Sequence, residues 1–155
     1  MNTLNFKPTF LGQCIIKYQV PLDIFMSINQ IYEQNYNSLA PANGQLVGKI
    51  EKEHSLFYHG EDQTKMKNHN FLPKNVTDYF MQVFNHYLKF NAIQDYKTHL
   101  NSIWVNEMKQ HEYNPAHIHR GMLFTGLSSV MILKLPSTYG KEYSAGHIQQ
   151  NGRLQ

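Results

Sequence analysis

A single cysteine in 155 residues leaves no partner for an internal disulfide, so packing and hydrogen bonding must hold this chain folded. Cys14 suits a reducing compartment and reads as a small buried apolar residue rather than a nucleophile. Charge is sparse too: 14 Lys+Arg against 11 Asp+Glu give a formal net charge of +3, and the lysines are scattered rather than gathered into a run. Phosphate backbones are bound by concentrated basic faces, so no nucleic-acid partner is implied. No apolar stretch is long enough to span a bilayer, and the first residues lack the basic region and apolar core of a signal peptide. The expectation is no membrane partner and a cytoplasmic location in the host or producing cell. Internal repeats and low-complexity tracts are absent, and nothing divides residues 1–155 into more than one domain.

What the chain does have is apolar material: 41% hydrophobic and 13% aromatic residues, enough for one core. Gln13–Tyr18 reads as a short strand, and Pro21 suits the start of a helix whose apolar stripe is Leu22, Phe25, Met26, Ile28, Asn29 and Tyr32. Ala40-Pro41-Ala42-Asn43-Gly44 breaks that pattern, and Leu46–His59 has room for one or two extended pieces. Pro73–Tyr87 reads as a second helix, expected to lay Val76, Tyr79, Phe80, Val83, Phe84 and Tyr87 over one face of a sheet. Ile103–Met108 and Leu127–Leu135 are rich in strand-forming residues, and Pro136 closes the second.

Between those two strands, directly after the turn signal Asn114-Pro115, stands His117-Ile118-His119. Alternate side chains of a strand share a face, so imidazoles at i and i+2 can converge on one ion. The plainer alternative is an exposed histidine-rich loop, since the chain carries nine histidines. Borderline divalent metals favour imidazole, which makes a metal site the leading reading.

Trp104-Val105-Asn106, Tyr113-Asn114-Pro115, His117-x-His119 and the apolar run ending Leu133-Lys134-Leu135-Pro136 together resemble the middle of a known family. It is the prolyl-hydroxylase-like, 2-oxoglutarate- and Fe(II)-dependent oxygenases of marine bacteriophages and bacteria. The preceding helices are similar to that family's N-terminal part, although the specific likeness is confined to about residues 104–136. The resemblance implies an α+β fold: a double-stranded β-helix, or cupin-like jelly roll, with flanking N-terminal helices. A helical part would occupy about residues 1–98, and the start of the metal-binding jelly roll about 99–155. Only 36 residues follow His119, too few for the five or so strands that closure needs, so the expectation is a C-terminally truncated domain.

The same resemblance implies Fe(II) as cofactor and 2-oxoglutarate as co-substrate, with hydroxylation of a small-molecule or protein substrate. His117 and His119 become metal ligands, and His147, the sole later histidine, stands for the distal third ligand. The wider superfamily carries His-x-Asp, so His119 replaces an anionic ligand with a neutral one. For 2-oxoglutarate the candidates are Asn106, whose amide could hydrogen-bond a carboxylate, and Lys134, a counter-ion if it lies inside the β-helix. Each also reads more blandly, Asn106 as a polar residue at a strand end and Lys134 as a solvated lysine. Arg153 reads as a surface arginine rather than the clamp on 2-oxoglutarate, and Trp104 as an inward core residue. No acid–base catalytic residue stands out.

A competing class is a non-catalytic jelly-roll structural or binding protein of a phage, because such folds serve as capsid and lectin domains as readily as enzymes. A cupin with another metal is weaker, since no glutamate follows His119 at short distance. An incomplete β-helix would expose strand edges, so a homo-oligomer is a further expectation.

Overall fold

The computed structural model describes residues 4–11, 13–43, 48–60, 67–115 and 126–136. The elements run β1 (Phe6–Leu11), β2 (Gln13–Tyr18), α1 (Leu22–Asn35), β3 (Ala40–Pro41), β4 (Lys52–Tyr58), β5 (His69–Asn70), α2 (Lys74–Phe90) and β6 (Ser102–Glu107). The class is α+β, with a two-stranded and a four-stranded antiparallel sheet, and no sheet closes into a barrel among the described residues.

Both helices begin at a proline that serves as N-cap, Pro21 and Pro73. Their carbonyls accept the first helical bonds, from the Phe25 N–H at 3.0 Å and the Val76 N–H at 3.0 Å. Proline fits there because its missing N–H would have no intrahelical partner anyway. In α1 the buried face is rotated from the expected stripe: Ile24 and Ile28 are buried and Ile31 and Tyr32 pack beside them, whereas Leu22 and Met26 are 70% and 59% exposed. Apolar residues line more than one side of this helix, so periodicity does not choose between faces. The core does, and it selects the i, i+4, i+7 row of isoleucines. In α2 the expected face holds: Val76, Tyr79 and Val83 are buried and Phe80 packs against them.

The expected strand Gln13–Tyr18 is β2, which pairs with β1 from Phe6↔Tyr18 to Leu11↔Gln13. This hairpin docks on the C-terminal half of α2. The Tyr87 hydroxyl donates to the Cys14 carbonyl at 2.8 Å, and the Phe6, Tyr18, His86 and Phe90 rings form one cluster. Burial pushes the Tyr18 hydroxyl up to about 12, so it stays protonated beside His86 Nδ1 at 2.8 Å.

β4 organises the larger sheet. β6 runs antiparallel along one side of it, from Lys52↔Glu107 to Tyr58↔Ser102. On the other side β3 meets Ser55 and His54, and β5 meets Phe57 and Tyr58. The N-terminal part, expected to be helical over about residues 1–98, therefore holds five strands as well as both helices.

Leu127–Leu135 is a further correction, because residues 126–136 form no strand. Met131 and Leu133 pack against the core while Val130 and Ile132 point outward, 72% and 41% exposed. The alternation expected of a strand is present without a ladder among the described residues. Side-chain period reports which side is buried, and hydrogen-bond pairing is a separate requirement. No helix among the described residues is long and apolar enough to cross a membrane.

Candidate functional site

A bulge in β4 divides its side chains between two environments. The register skips Leu56, between Ser55↔Trp104 and Phe57↔Ile103, so two residues of β4 oppose one step of β6. Leu56 and Phe57 accordingly both pack into the helix-side core, and Tyr58 returns to the face that carries Glu53 and Ser55. That second face is also buried: Glu53 is 5% exposed, Ser55 2% and Tyr58 8%.

The second face is polar. His69 Nε2 lies 2.8 Å from Ser55 Oγ, and the His69 and Tyr58 rings stack. Glu53 stands opposite Asn106 in the ladder, and directly opposed side chains are within reach of one another. Asn106 Oδ1 is fully buried and has no hydrogen-bond partner among the described residues. A buried acceptor left unpaired costs about 1–3 kcal/mol, so this amide oxygen calls for a donor that the described residues do not supply.

On the helix side of the same strands lies a second polar group. The Tyr32 hydroxyl donates to Glu107 Oε1 at 2.8 Å and sits 3.0 Å from His54 Nδ1. A phenol has one proton, so His54 must donate from Nδ1. Burial, and then the bond to Glu107, hold the Tyr32 hydroxyl well above the usual phenol range. Tyr36 donates to Glu107 Oε2 at 3.4 Å and accepts from the Lys52 ammonium. These contacts fasten α1 to the end of β6. The sequence gives no sign of them, because Glu107 lies 75 and 71 positions from the two tyrosines.

Beyond β6 the chain is clasped again before it reaches the histidine motif. Glu112 accepts from the backbone N–H of Lys109 at 2.7 Å and of Glu51 at 2.9 Å. Lys49 and Tyr113 exchange backbone bonds of 2.9 and 3.0 Å. Gly48 passes so close to this turn that a methyl group there would overlap the Tyr113 carbonyl and Pro115 Cδ. The two backbone bonds hold the Glu112 carboxyl below the usual carboxylate range. Its folded-state value is the lower one, so the clasp contributes fully above the unfolded range near ~4.3 and is lost as pH falls through the lowered value. Acidification should therefore reduce the hydrogen-exchange protection of the Glu51 and Lys109 amides ahead of the β4–β6 ladder, and Glu112→Gln should flatten that response. Protection that stays level with the ladder's at every pH would count against the clasp.

Of the candidates read from the sequence, Asn106 lies on the buried polar face, opposite Glu53. Lys134 is exposed, on the same side of 126–136 as Val130 and Ile132. Trp104, read as a core residue, shares the face of Asn106 away from the helices and is 37% exposed, while Ile103 and Val105 pack against the core. His117, His119 and His147, like Arg153, lie outside the described residues. Among the described residues no group of three or more His, Cys, Asp or Glu could hold a metal ion. Glu53 was missed because a lone glutamate between lysine and histidine reads as surface, and only the pairing on both sides of β4 reveals its burial. Compared with protein-family models, curated proteins and solved structures, the chain matches none.

Proposed function

We propose that this chain is a non-haem Fe(II)- and 2-oxoglutarate-dependent dioxygenase domain that hydroxylates a small-molecule or protein substrate, and that the polar face of β4 and β6 lines its binding cavity. One observation carries the reading: on the face turned away from the helices, β4 buries Glu53 and Ser55 beside Asn106 Oδ1, which has no partner among the described residues. An orphaned amide oxygen is costly in a structural core, whereas a ligand cavity can supply its donor. In this reading the larger sheet is one wall of a double-stranded β-helix.

His117 and His119, with His147 as third ligand, would hold the iron. Asn106 would donate from its amide nitrogen to a carboxylate of 2-oxoglutarate, with its oxygen left to accept from a bound donor or water. Iron and 2-oxoglutarate, when bound, supply the oxidising chemistry, while the chain's own part is to orient them and exclude water.

The test is O₂ uptake and succinate formation by Fe(II)-loaded protein, with and without 2-oxoglutarate. Uptake that depends on 2-oxoglutarate and is lost in Asn106→Ala together with 2-oxoglutarate affinity is the expected result. A folded, iron-loaded protein that neither binds nor consumes 2-oxoglutarate would sink the reading. A chain that retains no iron at all would favour the non-catalytic phage jelly-roll module instead.

A further inference from the structure

At the far end of the β4–β6 ladder two other histidines come together. The ladder's last pair is Tyr58↔Ser102, and the His59 N–H continues it by donating to the Asn101 carbonyl at 2.8 Å. Residue 99 then stands diagonally across from residue 59, a relation within reach of long and aromatic side chains. The His59 and His99 ring centroids are 5.4 Å apart, with the rings tilted at 58°.

That separation has a chemical meaning. Imidazole binds a borderline divalent ion with its nitrogen ~2.0–2.1 Å from the metal, and the ring centre lies roughly 1.1–1.2 Å further back. Two rings on one tetrahedral ion therefore have centroids about 5.2 Å apart, within a few tenths of an ångström of the distance found here. Both residues are exposed, so an ion can arrive from solvent and waters can complete its shell.

We propose that His59 and His99 form a surface two-histidine site for a borderline divalent transition ion of the Zn²⁺, Ni²⁺ or Cu²⁺ class. Its two ligands are not among those of the proposed iron centre. Nitrogen-only protein ligands select these ions over Mg²⁺ and Ca²⁺, which demand oxygen. An ion there would bridge the start of β6 to the end of β4.

The test titrates Zn²⁺ alone into the full chain carrying His117→Ala and His119→Ala, so that the histidine motif of the proposed centre cannot contribute. Saturable binding of one ion with joint shifts of the His59 and His99 ring resonances is expected, and Mg²⁺ should leave those resonances in place. Loss of a supporting residue around a metal typically costs ~10–100-fold in affinity, so removing a ligand with His59→Ala or His99→Ala should weaken Zn²⁺ at least about tenfold. Unchanged affinity in both single variants, or ring resonances that ignore Zn²⁺, would overturn the proposal. The ring measurement is repeated on the unsubstituted chain, where it reads the same two residues whether or not the histidine motif binds iron.

Discussion

Leu56→Ala is expected to destabilise the fold by about 2–5 kcal/mol, read as a lower denaturant midpoint with an unchanged slope. The side chain is 0% exposed and packs in the cluster with Ile24, Ile28, Leu72 and Val76. The upper part of the range applies because the site cannot collapse onto the vacancy. Leu56 is the extra residue of the bulge, and its neighbours are held on both sides: Ser55 by Ala40 and Trp104, Phe57 by Asn70 and Ile103. A cavity that the backbone cannot close keeps its full cost, and a domain's whole stability is only ~5–15 kcal/mol. Leu22→Ala is the control. That leucine lay in the stripe read from the sequence yet is 70% exposed, so its loss should stay within about 0.5 kcal/mol. A larger cost at Leu22 than at Leu56 would show that α1 buries the other face.

The contrast between those two leucines shows what the sequence could reveal. Elements whose signal is local were legible: Gln13–Tyr18 between turn residues, helices starting at Pro21 and Pro73, and a strand over Ile103–Met108 observed as Ser102–Glu107. Properties fixed by distant partners were not. The rotation of α1 depends on what Ile24 meets, and the failure of Leu127–Leu135 to form a ladder depends on a partner strand. Local periodicity carries neither fact.

The candidate site divides in the same way. Asn106 was legible as an amide on a strand approaching the histidines, but its significance comes from Glu53, which faces it across a ladder that joins residues 53 positions apart in the chain (106 − 53). Trp104 was misread as core because it is the most apolar-looking residue of the strand, whereas Ile103 and Val105 face the helices. Alternation assigns the side chains of a strand to two faces, and only the packing of the helices decides which of them is core.

Replacing both His117 and His119 by alanine is expected to abolish iron binding while leaving the secondary structure unchanged. On the spacing argument the two imidazoles would grip one ion together, so removing both leaves at most a single histidine among the proposed ligands. The fold should survive because the chain is fastened ahead of the motif. Tyr32 and Tyr36 hold Glu107, Glu112 bonds to the Glu51 and Lys109 amides, and Lys49 pairs with Tyr113. None of these contacts involves residues 117 or 119. The single variants sharpen the result: a shared site loses affinity in both, whereas a lone ligand beside a bystander loses it in only one. Elemental analysis after dialysis measures the iron, and far-UV circular dichroism measures the fold. Equal iron in the unsubstituted chain and the double variant would remove the histidine motif from any metal site, and the oxygenase reading with it.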